Sequence, residues 1–400
     1  MQTNKLFLAG LAALVILMIG CTPVAQNGVP DVRPANGETE TSGEPDAQAT
    51  TETVKLGLML PLSGDATAYG NPIRTAAFIA ADEINAKGGI NGKMIEFVTE
   101  DSKCSPKDGA SAAQKLVNVD KVKVIIGGAC SGETLGAAPI TEAAKVILIS
   151  PSATSPDITA AGDYVFRIAP SDAFAGEVAA KYASDDLGRS KAVVFSETTD
   201  YAQGLRKVFK ENFELLGGAV VADETFSSED TDMRTQVLKA KNANPDVIYI
   251  VAQTPAKATL LLKQLKESGM EQEIVASEVL LGRDFIAENS ELIEGAIGIE
   301  PKVDDTSPTT AALFAKYKEQ TGEEVPWPQF VAGVYDAVYL VSDAISLYGE
   351  DTDKIRDNLY SVKDYNGAIG KLTFDENGDP LLPYSVKKIT GGKAVEIATA

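Results

Sequence analysis

From Val54 onward the chain alternates short apolar runs with longer amphipathic stretches, and that rhythm leaves few folds open to it. The runs VKLGLML (54–60), MIEFVTED (94–101), VKVIIGG (122–128), KVILIS (145–150), KAVVFS (191–196), AVVADETF (219–226), DVIYIVA (246–252) and EIVASE (273–278) read as strands. Helices fall between them, for instance over 71–87, 108–117, 201–216 and 256–268. Apolar strands separated by helices make parallel sheets covered on both faces. Both halves repeat the unit, so two doubly wound α/β lobes suit the length better than one very wide sheet. The chain is expected to cross between lobes near Pro170–Ala173, Pro301–Asp304 and Phe374–Pro380. Asp375-Glu376-Asn377-Gly378-Asp379 has the flavour of a calcium loop, but Pro380 stands where that loop needs glycine, and an Asn-Gly turn explains it better.

Two neighbouring passages, VKVIIGGACSGETLGA and AKVILISPSATSPDI, each run a buried strand straight into a cluster of hydroxyls and small residues. At the carboxyl edge of a parallel sheet such clusters gather Ser and Thr oxygens and the free N–H groups of the next helix into one crevice. Ser131 and Ser155 taken singly are ordinary helix caps. Two such loops in consecutive units point instead to an anchor for a small anion such as a carboxylate. A strand-edge set follows: Tyr69, Ser131, Ser152, Thr154, Tyr201 and Glu278. Glu278 beside a hydroxyl anchor complements an ammonium group, and the two tyrosines would wall a small ligand with apolar surface.

The absence of histidine removes Ser-His and Cys-His catalysis and every His-containing zinc site. There is no G-x-x-x-x-G-K-[ST] loop and no G-x-S-x-G elbow, so neither nucleotide hydrolysis nor serine hydrolase chemistry is expected, and no cofactor. With 57 acidic against 36 basic residues and a net charge of -21, the chain is a poor partner for nucleic acid or an anionic membrane surface.

At the N-terminus, Lys5 precedes an apolar run from Leu6 to Ile19 and then Gly20-Cys21, which fits a secretory signal better than a membrane span. The segment resembles a lipoprotein signal in which Cys21 is acylated; Met18 departs from the usual Leu, Val or Ile, and an uncleaved anchor is the alternative. Residues 22–52 carry almost no large apolar side chain and make a leash spanning on the order of 30 Å as a flexible coil. The resulting organisation is a signal peptide over 1–20, a lipidated Cys and linker over 21–52, one lobe from 53–172 plus 302–375, and another from 173–301 plus 376–400. In an oxidising compartment Cys104 and Cys130 are expected to pair, closing a loop of about 27 residues worth roughly 3 to 4 kcal/mol; two free buried thiols are the alternative.

PLSGDATAYG, ADEINAKGGINGK, CSPKDGASAAQKLV, VIIGGACSGETLGAAP, ISPSATSPDIT and LTFDENGDP resemble, in order, segments of the leucine/isoleucine/valine-type solute-binding proteins of ABC importers, over roughly residues 53 to 400. The resemblance implies a type I periplasmic binding protein: a monomeric, non-enzymatic two-lobed clamp, joined by a three-stranded hinge, that closes on an amino acid and delivers it to a membrane permease. It implies that Ser131, Ser152 and Thr154 hold the α-carboxylate and share the ammonium, that Glu278 neutralises the ammonium, that Tyr69 and Tyr201 flank the ligand, and that Cys104 and Cys130 occupy disulfide positions. Where family members specific for branched aliphatic side chains carry an aromatic after the DVIYIVA strand, this chain has Gln253-Thr254, which argues for a more polar ligand. A sensory ligand-binding domain and an amidase-type enzyme on the same scaffold are the rival readings. The location expected is the outer face of the cytoplasmic membrane or the periplasm, through the lipid anchor.

Overall fold

A computed structural model describes residues 52–400; the signal segment and the Cys21 lipidation site lie outside the described residues. The first sheet takes β1 (Thr53–Leu60), β2 (Met94–Asp101), β3 (Val124–Gly127), β4 (Ile147–Ser150) and β5 (Val165–Arg167), in the order β2-β1-β3-β4-β5 and parallel throughout. The second takes β6 (Lys191–Glu197), β7 (Ala219–Phe226), β8 (Val247–Val251), β9 (Glu273–Ser277) and β10 (Ile297–Pro301), parallel in the order β7-β6-β8-β9-β10. The two orders are the same 2-1-3-4-5 pattern, which reverses direction between its first and third strands and opens a crevice there, beyond the strands' carboxyl ends. A small hairpin of β11 (Tyr365–Asn366) and β12 (Lys371–Leu372) stands apart from both.

Helices cover both faces of each sheet. In the first lobe α1 (Thr67–Ala86) lies on one face and α2 (Pro106–Asn118) with α3 (Ser131–Ala144) on the other. In the second, α4 (Asp172–Lys181) and α5 (Asp200–Leu215) oppose α6 (Arg234–Asn242), α7 (Pro255–Glu267) and α8 (Arg283–Ile293). The chain then returns: α9 (Pro308–Thr321), α10 (Pro328–Tyr348) and α11 (Thr352–Tyr360) pack against the first lobe. α10 is apolar enough by composition to cross a membrane, yet Val331, Val334, Val338 and Val341 are fully buried against the sheet, which makes it a core helix.

The second sheet is not purely parallel. β13 (Tyr384–Thr390) pairs antiparallel with β10, and β14 (Lys393–Thr399) pairs antiparallel with β13, so the C-terminal segment ends as an edge hairpin where sequence periodicity indicated only parallel strands. The reason is the last crossover, which brings the chain in from the opposite direction. Three passages join the lobes, between β5 and α4, between β10 and α9, and between β12 and β13. The last holds the Asn-Gly turn: Asp375 Oδ1 accepts from the Asn377 and Asp379 N–H groups, and Gly378 takes φ +79°. Asp379 is then free to form a buried bidentate pair with Arg167, at 2.6 Å to each nitrogen, instead of ligating a cation.

Candidate functional site

The first-lobe wall begins at the end of β3. Gly127, at φ +140°, passes so close to β1 that a Cβ would stand 2.0 Å from the Met59 carbonyl oxygen, so only glycine fits. The turn delivers Cys130 as the N-cap of α3. Glu133, fully buried, completes a capping box by accepting from the Cys130 N–H at 2.9 Å, and it also takes the Ser102 hydroxyl at 2.5 Å. Burial pushes its carboxyl up to about 7 in spite of those bonds. Cys130 is joined to Cys104 in a disulfide with the Cα atoms 5.3 Å apart. The loop after β2 is thereby tied to the start of α3, whose first N–H groups have no intrahelical partner.

Three hydroxyls sit on this wall, all buried. Ser131 Oγ accepts from the Ser155 N–H at 3.1 Å. Ser152 Oγ donates to the Ala129 carbonyl at 2.9 Å, and Thr154 Oγ1 donates to Asp172 Oδ2 at 2.7 Å. Ser155 caps the 3₁₀ turn Pro156–Ala160, as its position before a helix suggested, and its carbonyl accepts from Arg167 at 2.8 Å. The proton bookkeeping separates the hydroxyls. Ser131 keeps a hydrogen to donate, whereas Ser152 and Thr154 have committed theirs and offer a ligand only lone pairs.

The second-lobe wall carries carboxyl groups. Tyr201, in the first turn of α5, donates to Glu278 Oε2 at 2.9 Å. Glu278 follows β9 directly and lines the cavity. Burial pushes its carboxyl up to about 7, against the hydrogen bonds from its own N–H and from Tyr201. Asp172, at the start of α4, is raised well above the usual carboxylate range by burial first and by the Glu278 charge second; the Thr154 hydroxyl and Arg167 oppose this. Glu197 at the end of β6 is also buried and raised, and it accepts from the Gln253 N–H at 2.7 Å.

Tyr69, Ser131, Ser152, Thr154, Tyr201, Gln253 and Glu278 all line one cavity at the crevice between the sheets. Ala129, Cys130, Ala252, Val279 and Phe330 complete the lining. Tyr69 spans the gap, donating its hydroxyl to the Gln253 carbonyl at 2.9 Å, so the two lobes are in contact across the cleft. Sequence reasoning missed Phe330, which reaches the site from α10, and the Asp172–Arg167–Asp379 group around the crossovers. The sequence signal for the latter was an arginine inside an apolar strand, since Arg167 is wholly buried and therefore must be paired. Among the described residues no His, Cys, Asp and Glu cluster has the makings of a metal site.

The family profile described as periplasmic binding protein matches residues 53–393. A leucine-, isoleucine-, valine-, threonine- and alanine-binding protein of Pseudomonas aeruginosa is 31% identical over 330 residues, 82% of this chain and 87% of its own length. A leucine-binding protein of Thermotoga maritima superposes with a TM-score of 0.79 at 30% identity, covering 87% of this chain and 98% of that one. A branched-chain amino acid transporter substrate-binding protein of Streptococcus pneumoniae, solved with isoleucine, gives a TM-score of 0.78 at 32% identity, with 86% of this chain and 100% of that one covered.

Proposed function

The chain belongs to the periplasmic binding protein family, among its branched-chain amino acid ABC substrate-binding proteins, and from that premise we propose that its cleft closes on one amino acid zwitterion and hands it to the permease of an ABC importer. The observation that carries this reading is the chemical contrast of the two walls around one cavity. Ser131 and the first N–H groups of α3 donate to the α-carboxylate, where the helix dipole favours an anion. Glu278 pairs the α-ammonium, and Ser152 and Thr154 accept from it with the lone pairs their own hydrogen bonds leave free. The ligand replaces the missing counter-charge of a buried carboxylate.

Tyr69, Phe330, Val279 and Ala252 give the side chain an apolar bed. Gln253 adds an amide, which supports a branched-chain amino acid or a somewhat more polar relative of it. Export and tethering through Cys21 complete the reading, with the leash holding the clamp near the membrane. Turnover is no part of the proposal: the clamp binds its ligand and releases it unchanged. A ligand bound only to the native state raises the melting temperature. A thermal-shift panel of α-amino acids should therefore give at least one clear stabiliser, and a panel in which no α-amino acid shifts the transition refutes the proposal.

A further inference from the structure

At two of the places where the lobes touch, one on each side of the ligand cavity, the contact depends on a missing side chain. On the Ser131 side, Gly204 lies on α5 one turn beyond Tyr201 and faces the first lobe. A Cβ there would stand 2.9 Å from Pro156 Cδ and 3.3 Å from Ser155 Oγ. On the Glu278 side, Gly282 receives the edge of the Trp327 indole, and a Cβ would fall 2.3 Å from Cη2 and 2.7 Å from Cζ2. Trp327 is held by its own lobe: it packs on Tyr69 and Phe330 with centroids 5.0 and 5.9 Å away and donates Nε1–H to the Ala68 carbonyl at 3.0 Å. It cannot retreat without disturbing two residues of the cavity wall.

Neither glycine is needed for its backbone. Gly204 is inside a helix, where alanine is the better residue, and Gly282 has φ -56° and ψ 134°, open to any residue. The three atoms nearest a Cβ at either glycine all belong to the opposite lobe. We infer that Gly204 and Gly282 are closure notches: they let the lobes meet, and through the fraction of closed molecules they set ligand affinity without touching the ligand. A methyl at either one clashes in the closed state and is harmless in the open one. Because only the closed form holds ligand on both walls, the apparent dissociation constant rises as the closed fraction falls.

The inference rests on the proposed function for its ligand but has a readout of its own, because Trp327 is the single tryptophan of the chain and lies in the second seam, 4% exposed. Gly204→Ala and Gly282→Ala should each weaken the best amino acid found for the wild type by tenfold or more, while the ligand-free melting temperature stays level or rises. Loss of affinity with an equal loss of stability would mean a merely structural role and would overturn the inference. Ligand-free Gly282→Ala should also expose Trp327 to acrylamide quenching more than the wild type does, and Trp327→Phe in that background should recover part of the lost affinity by removing the clashing edge. Equal quenching in wild type and Gly282→Ala, or unchanged affinity in both variants, overturns the notches and leaves the proposed function standing. A wild type that binds no amino acid removes that function, and the quenching comparison still decides the notches.

Discussion

The two walls of the cleft are built on the same strand order yet hold opposite kinds of group. The first-lobe wall is uncharged, with hydroxyls and a helix N-terminus, and it is fixed covalently by Cys104–Cys130 and by hydrogen bonds through the buried Glu133 cap. The second is acidic, with Glu278 and Asp172 both raised by burial, and it is held only by hydrogen bonds such as Tyr201 to Glu278. One wall is preorganised for an anion. On the proposed function the other meets a cation, so that a zwitterion laid across the gap gives each lobe what it lacks and favours closure.

The largest test of this contrast is on the acidic side. Glu278→Gln should weaken the amino acid by on the order of 2 to 5 kcal/mol in calorimetry, because it leaves a desolvated ammonium without its charge partner. Unchanged affinity would remove Glu278 from the site. On the opposite wall the covalent tie matters more to stability than to charge: reduction, or Cys104→Ser with Cys130→Ser, should cost roughly 3 to 4 kcal/mol of unfolding free energy in denaturant titration. An oxidised protein that shows two alkylatable thiols would contradict the link itself. Ser131→Ala is smaller again, about 1 to 3 kcal/mol of ligand affinity, since it deletes one hydrogen bond to the carboxylate and leaves the helix terminus in place.

The remaining effect is a divergence with pH. Glu133, Glu278 and Asp336 have carboxyls pushed up to about 7 by burial, so the folded protein keeps protons that the unfolded chain gives up near its ordinary values. Ligand-free stability should therefore rise, by about 1 kcal/mol or more, as pH falls from 7.5 to 5. Glu396, held down to about 2 mainly by Lys302, gives up its contribution only below that window. Affinity should run the other way, falling by up to about tenfold per pH unit below 7 as Glu278 takes up the proton that the ammonium must displace. Parallel trends in the two measurements would break the assignment of Glu278.

The residues legible in the sequence were those whose position follows from local order. Once β3, β4 and β9 are known to be parallel, Ser131, Thr154 and Glu278 must stand at carboxyl ends that face the crevice. The shared 2-1-3-4-5 order of the lobes is the same kind of fact. What escaped depends on where the chain returns after a crossover. Phe330 and Trp327 come from the start of α10, far along the chain, and no periodicity says that this helix caps the first lobe beside Tyr69. The antiparallel β13–β14 edge, the Arg167–Asp379 pair and Asp172 are likewise set by the crossovers.

The central claim is that the acidic wall exists to meet an ammonium, and calorimetry of the best amino acid against its des-amino carboxylic acid tests it most directly. On the wild type, removing the amino group should cost on the order of a hundredfold or more in affinity, and on Glu278→Gln it should cost little. A des-amino acid that binds the wild type as tightly as the amino acid does would contradict the account.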